Sequence, residues 1–486
     1  MNRLWVVACV SLLVVVSNRY VSAGQAALDS ADPVLMNRAP VSDEVISVDL
    51  RSPTEAVLEN GLSLLVIEDH RSGMVSMQLS VSGAGSLYDP PELAGLAAVT
   101  SALLMKGTRN RTGEEIGDEL ARLGASVRSS SAAGDASALI RASGLSRNMD
   151  QWFPVLADVL LNPVFDETQL RDLKLQGRLG LARQQLSGAF LAEQRYYRAL
   201  YEDHPGAVRS ATDASLTALS VGALAQWHRE RYTPENSILV VVGDVTVERM
   251  VDLLNEQLAR WPAGATIEVA PTAPVRPDTR RVLIVNRPGS AQTNLMIGNL
   301  TIDRSHPDYV PLRVMNEALG GSIRSRLFEA LMKRNDYALG VVSSVSAVKY
   351  PGPWTVSVVA RTEAVASAVN EVMVGIEQLG NEPIPLGELN QVKRSLIARF
   401  ALTLEEPDSL LSYFTMAETY QLRDDHWNTY PARVMAVTSQ DVARVARQYL
   451  DPLKLQIVAA GDAGDLLPVL ERYGPVEVYE TDGSLR

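Results

Sequence analysis

The chain repeats itself at long range. SVGALAQWHRERYTPENSILVVVGD, residues 220–244, is answered by SQDVARVARQYLDPLKLQIVAAGD, residues 439–462, so that Pro234 and Asp244 return as Pro452 and Asp462, each 218 positions later. The same offset sets Asp69 against Arg287, at the ends of two apolar hairpin-like runs. A period this long is not that of a solenoid; it is the mark of one unit copied once. At 486 residues the chain also exceeds what a single core takes. Two copies of one fold satisfy both constraints.

Each copy reads as α+β. From 51 to 260 the order begins with a hairpin, AVLENGLSLLVIED, whose Asn60-Gly61 supplies the turn. An alternating strand, MVSMQLSVSG, and a helix within GLAAVTSALLMKGT (95–108) come after it. Helices near 113–122, 146–161 and 167–202 come next, with strands SVRSSS (126–131) and ASALIRASG (136–144) between the first two. The copy closes with a helix at 221–232, the strand SILVVVGDV and a helix at 246–260. Residues 261–280, rich in proline, read as a linker. From 281 to 480 the pattern restarts: RRVLIVNRPGSAQTNLMIGNL takes the place of the hairpin and strand, and YVPLRVMNEALGG that of the helix. The expected architecture is therefore two duplicated domains, each a mostly antiparallel sheet covered by helices.

The first residues read as a secretory signal. Arg3 precedes an apolar run from Leu4 to Val16, and Val21-Ser22-Ala23 suits cleavage after Ala23. That predicts an exported, periplasmic protein with an extended leader at 24–50. Val6-Val7-Ala8-Cys9 imitates a lipidation box, but few apolar residues precede Cys9, and the signal reading is preferred. Cys9 is the only cysteine, so the mature chain is expected to lack any thiol. No later stretch approaches the roughly 20 apolar residues of a membrane span. The formal charge of −12, with basic residues dispersed, argues against nucleic acid and anionic membranes as partners. Phosphate-loop, G-x-S-x-G and dinucleotide fingerprints are missing from the sequence.

Six phrases stand in order on this framework: LENGLSLLVIEDH, GSLYDPPELAGLA with LLMKGT, the HP step of YEDHPGAVRS, RERYTPENSILVVVGD, NRPGSAQTNL and GGSIRSRLFEAL. With them the chain resembles the pitrilysin/insulinase family of inverted-motif zinc peptidases, in the branch that includes the mitochondrial processing peptidase. The resemblance runs from about Ala56 to Val478 and implies half of a metallopeptidase clamshell. In that family a helix carries H-x-x-E-H, two histidines for zinc and a glutamate as general base, and a later glutamate completes the site. Here the motif falls on Ala98-Val99-Thr100-Ser101-Ala102. The histidine positions are Ala98 and Ala102, and the base position is Ser101. No acid occurs between Asp172 and Glu193, the stretch where the later glutamate belongs.

The five histidines, His70, His204, His228, His306 and His426, offer no pair three to five residues apart. His70 reads as a solvated turn residue, His204 as part of a structural His-Pro turn, and His228 as a surface or capping residue. The resemblance also implies an arginine and a tyrosine in the second half that hold substrate, the arginine leading into glycine-leucine-alanine-tyrosine. Met332 and Leu339 occupy those places, with Arg334 and Tyr337 each two positions away.

The chain is thus expected to be an inactive homologue with no cofactor of its own. The resemblance implies a non-catalytic subunit that closes the chamber of a zinc-bearing peptidase subunit of the same family. The alternative is a free-standing scaffold or peptide-binding protein. The family binds extended peptide on a sheet edge beside the metal helix, which places the candidate peptide contacts at Arg128, Ser129, Ser130 and Ser131. A solvated edge kept from aggregating by small polar residues is the competing reading.

Overall fold

In the first half, every position of the central strand 237–243 but one is buried, and so is every position of its counterpart 456–461. Strands apolar at consecutive positions must be covered on both faces, and this requirement organises the molecule. The computed structural model describes residues 48–265 and 272–486. The expected signal, Cys9, most of the leader and the middle of the linker lie outside them.

The first sheet contains β1 (Thr54–Val57), β2 (Ser63–Glu68), β3 (Met74–Ser82), β4 (Ser126–Ser130), β5 (Ser137–Leu145) and β6 (Ser237–Gly243), in the order β1-β2-β6-β3-β5-β4. The second contains β7 (Val282–Asn286), β8 (Gln292–Leu300), β9 (Ala338–Val345), β10 (Pro353–Arg361), β11 (Gln456–Gly461) and β12 (Val476–Tyr479), in the order β12-β7-β11-β8-β10-β9. β8 is β3 displaced by 218 residues at both ends. β2 and β6 are parallel, as are β7 and β11; the remaining pairs of the shared five strands are antiparallel.

The sheets differ at one edge. β1 is the antiparallel hairpin partner of β2, with Gly61 at φ +88° in the turn, whereas β7 has no such partner and is flanked by β12 from the end of the chain, running parallel. The hairpin expected at the restart is thus replaced. Pro274 and Pro277 precede β7 and have no N–H to give a ladder.

Helices of the first half are α1 (Leu96–Leu104), α2 (Gly113–Leu123), α3 (Met149–Leu161), α4 (Glu167–Gln184), α5 (Gly188–Tyr201), α6 (Asp213–Ala218), α7 (Val221–Arg231) and α8 (Val247–Gln257). Those of the second are α9 (Tyr309–Leu319), α10 (Arg326–Phe328, continued by a π turn at Glu329–Arg334), α11 (Val365–Asn381), α12 (Leu386–Thr403), α13 (Pro407–Thr419), α14 (Tyr430–Ala436), α15 (Ser439–Tyr449) and α16 (Ala463–Leu470). Among the described residues, none of these helices is long and apolar enough to cross a membrane.

One face of each sheet is covered by helices of its own half; the other receives a single helix from the opposite half. Tyr196 and Leu200 of α5 pack on Leu283, Val285 and Val458 of the second sheet. Leu411 and Phe414 of α13 pack on Leu65, Ile67, Val240 and Val242 of the first. Buried polar pairs fix both crossings. Tyr196 Oη donates to the Trp354 carbonyl at 3.2 Å, and Gln78 Nε2 donates to Thr415 Oγ1 at 2.8 Å.

The helix expected over 167–202 is for this reason two helices. At Gly188 a Cβ would stand 2.4 Å from Asn294 Nδ2 and 2.5 Å from Arg287 Nη1, so any larger residue would have to displace these two side chains of the second half. The equivalent break in the second half carries Pro407 at the first turn of α13.

The last residues of the expected leader, 48–50, are held by the second half. Leu50 N–H donates to Asn428 Oδ1 at 2.9 Å, Asn428 Nδ2 donates to the Leu50 carbonyl at 3.1 Å, and Val48 and Leu50 pack against the second core.

Candidate functional site

Helix α1 opens at Gly95, whose φ of +99° lets the chain turn out of the Asp89-Pro90-Pro91 loop. Gly95 has no side chain with which to cap the helix. Asp89 does this work from outside: Oδ2 accepts from Gly95 N–H at 2.8 Å and Oδ1 from Ala97 N–H at 2.9 Å. Burial pushes the Asp89 carboxyl up to about 6, outweighing the backbone bonds that favour its charge.

One turn of α1 places Ala98 and Ala102 on the same side, Ala98 exposed and Ala102 half-buried. Neither methyl can ligate anything. Ser101 points the other way, into the core, and its hydroxyl shares a 3.2 Å hydrogen bond with Tyr232 Oη. Burial pushes the Tyr232 phenol up to about 12, so it stays protonated. Its ring stacks on His228 at 4.8 Å, and His228 Nε2 lies 2.9 Å from the Leu160 carbonyl. Burial holds His228 down to about 4; the ring is neutral and Nε2 carries the donated proton. His228 therefore caps an orphan carbonyl in the last turn of α3, the capping role of the two expected for it.

Helix α4 presents cations where the family's last ligand belongs. Lys174 Nζ donates to the carbonyls of Thr217 and Leu219 at 3.2 and 2.6 Å, and Arg178 reaches Asp213 Oδ1 and Thr217 Oγ1, each at 2.7 Å. Both side chains tie α4 to α6. Among the described residues, no three His, Cys, Asp or Glu side chains converge as a metal would need. The zinc that the fold family implies does not fit this donor set: two methyl groups and a hydroxyl committed to a buried phenol replace two imidazoles and a carboxylate.

Two further histidines are spent singly. His70 Nδ1 lies 2.7 Å from Asp244 Oδ1, and Ser146 Oγ donates to Asp244 Oδ2 at 2.6 Å, all at the surface. His204 Nδ1 accepts from Gly206 N–H at 2.9 Å within its His-Pro turn.

In the second half, Asp336 sits at φ +51°, the place the resemblance gives to glycine, and β9 starts two residues later. Leu339, which the resemblance sets at the tyrosine position, is 44% exposed. Met332 and Tyr337 pack against the second core, and Arg334 is exposed at the end of the π turn. Glu317 on α9 is buried and serves the structure: it accepts from Arg399 and Ser395 of α12 at 2.7 and 3.1 Å.

β4 is the outer strand of the first sheet and, among the described residues, pairs only with β5. Arg128 and Ser130 are exposed on it, and Ser129 is half-buried with no partner for Oγ. Ser131 is not on the edge. The strand ends at Ser130; Ser131 is buried and its Oγ accepts from Ser86 N–H at 3.1 Å, because the chain already turns toward the loop before β5.

Sequence reasoning missed Asp89 and Tyr232. Asp89 lies in a proline-rich loop six residues ahead of the glycine that opens the helix it caps, and Tyr232 is 131 positions from Ser101. Neither leaves a local signature.

Two interlocked α+β halves around a helix of the inverted-motif type define a class, the clamshell metallopeptidases and their homologues. The chain belongs to the insulinase family, peptidase family M16: the family model described as Insulinase (Peptidase family M16) matches residues 64–214, and that described as Peptidase M16 inactive domain matches 218–396. An uncharacterized zinc protease of Mycobacterium leprae is 27% identical, over 73% of this chain and 80% of its own length. One of Bacillus subtilis is 21% identical, over 73% and 85%. Among solved structures, a peptidase M16 inactive domain from Pseudomonas fluorescens superimposes with a TM-score of 0.77 at 23% identity, covering 85% of this chain and 98% of that one. A protease from Helicobacter pylori does so with 0.76 at 19%, covering 85% and 100%.

Proposed function

We propose that this chain is the non-catalytic subunit of an exported, periplasmic heterodimeric complex of the zinc-peptidase type. It closes the chamber of a zinc-bearing family member and offers the β4 edge to extended peptide. The observation that carries the reading is Ser101: at the place of the general base stands a hydroxyl held by buried Tyr232, flanked one position and three positions away by alanines. A neutral hydroxyl in that setting neither takes a proton from water near neutral pH nor grips a divalent cation. Asp89 holds the start of α1 through Gly95 and Ala97 N–H, which supports a role for this helix as a chamber wall.

Co-expression with a family member that carries an intact H-x-x-E-H tests this. A one-to-one complex should form, and peptide cleavage by it should be abolished by chelators, while this chain alone is inert. Stoichiometric zinc and chelator-sensitive hydrolysis by the chain alone would overturn the reading. A second reading, a free-standing peptide-binding scaffold, draws on the unpaired edge of β4, which needs no partner chain. It is favoured if the chain binds unfolded peptide alone and no zinc-bearing family member associates.

A further inference from the structure

Helices α7 and α15 are one element in two copies: α15 begins and ends 218 positions after α7. Each meets the helix that follows the long strand of its own sheet, α3 after β5 and α11 after β10. Those helices start 216 positions apart, as do both ends of the two strands. In the first half, rings fill the groove between the pair. His228 stacks on Tyr232 at 4.8 Å, meets Phe165 edge-on at 5.9 Å and reaches the Leu160 carbonyl at 2.9 Å. In the second half the same offsets set Ala446 at the place of His228, Leu450 at that of Tyr232 and Ile376 at that of Leu160.

What is filled in one copy is open in the other. A cleft of about 610 Å³ lies between α11 and α15, lined by Met373, Ile376, Ala446, Leu450 and Tyr473. Exchanging an imidazole and a phenol for a methyl and an isobutyl group frees room for groups of the same flat shape. Apolar walls with a few convergent polar groups are also what a small-molecule site requires.

The polar groups that decide the ligand are two guanidiniums on the same walls, Arg280 and Arg447. Arg280 Nη1 donates to the Pro452 carbonyl at 3.3 Å, and Arg447 donates to the Gly380 carbonyl. Carbonyls satisfy a donor without neutralising its charge, and among the described residues neither arginine forms an ion pair. Arg280 Nε is moreover buried with no hydrogen-bond partner among the described residues. Two acids line the cleft as well. Asp451 accepts from Leu453 N–H at 3.0 Å and stands 3.9 Å from Lys454 Nζ, and Glu377 is exposed. With Lys454 beside Asp451, three cations stand against two carboxylates, so the cleft favours an anion.

We infer that this cleft binds a small aromatic acid, with its rings between α11 and α15 where the first half keeps His228 and Tyr232, and its carboxylate on Arg280 and Arg447. The site shares no residue with α1, α4 or the β4 edge, so it stands or falls independently of the subunit role proposed above.

Titration calorimetry of the purified chain with naphthylacetate tests this. One equivalent should bind. Naphthylethanol, the same rings without the charge, should bind about two- to fivefold more weakly, and acetate should not compete. Arg447→Met should weaken naphthylacetate about two- to fivefold and leave naphthylethanol unchanged, whereas Glu377→Gln should tighten the acid alone. A446H/L450Y installs the side chains of the first half and should abolish binding of both; if that variant does not fold, the Arg447 and Glu377 variants carry the test. A wild-type chain that binds no naphthylacetate overturns the inference. So do acetate that competes as well as the aromatic acid, equal losses of acid and alcohol in Arg447→Met, and a folded A446H/L450Y chain that binds like wild type.

Discussion

Ser101 and Tyr232 meet hydroxyl to hydroxyl at 3.2 Å in the core of the first half, 131 positions apart in the chain. The contact gives Ser101 a packing role in place of a chemical one. Removing it leaves the buried phenol without its partner, and such groups cost about 1 to 3 kcal/mol when orphaned. Ser101→Ala is therefore expected to lower the unfolding free energy by about that amount in urea titration, and to leave peptide cleavage by the reconstituted complex unchanged after correction for folded fraction. A loss of cleavage beyond that fraction would show that Ser101 takes part in the reaction.

The exchange of α5 and α13 makes each half's sheet depend on the other half's helix. Phe414 closes the outer face of β2 and β6 through Leu65, Ile67, Val240 and Val242. Truncating a buried phenylalanine costs about 3 to 5 kcal/mol. Phe414→Ala should destabilise the first sheet although the mutation lies in the second half. Calorimetry should still record one transition, shifted downward as a whole. Two resolved transitions, with the second half unaffected, would contradict the interlock.

Much of this architecture is legible in the sequence because it is local and repeated. The 218-residue period sets β8 on β3, and unbroken apolar runs at 239–242 and 457–460 announce strands covered on both faces. The ligand positions of α1 are legible only through the family resemblance. The features hidden from the sequence are long-range. The sequence reads as one helix across Leu186-Ser187-Gly188, and nothing nearby says that the next helix leaves for the opposite sheet. The strand that flanks β7 comes from residues 476–479, nearly 200 positions on, so the repeat suggests a hairpin there. Ser131 reads as one more strand residue because its burial is set by Ser86, 45 positions earlier.

Acid should act on the protein through two opposing sets of buried groups. Burial holds His228 and His426 down to about 4, so between pH 6.5 and 4 the unfolded chain binds protons that the folded chain refuses. Stability carried by the neutral rings is present above 6.5 and is lost as pH falls toward 4. Asp89 works the other way. Its carboxyl, raised from 3.8 to about 6, binds a proton in the folded chain first, so its contribution falls as pH rises through that window. His204, also held down by burial, joins the first set, and Asp135 and Glu418, raised by burial, with His70, raised by Asp244, join the second, so single-site variants are what read each set. His228→Gln keeps a donor for the Leu160 carbonyl and removes the titration, so the variant should lose less stability than wild type between pH 6.5 and 4.5. Asp89→Asn keeps one acceptor for the α1 cap and removes the opposing titration, so it should lose more. Urea titrations at half-unit steps of pH read both slopes, and identical slopes for the three proteins would refute the assignment of these groups as buried and neutral.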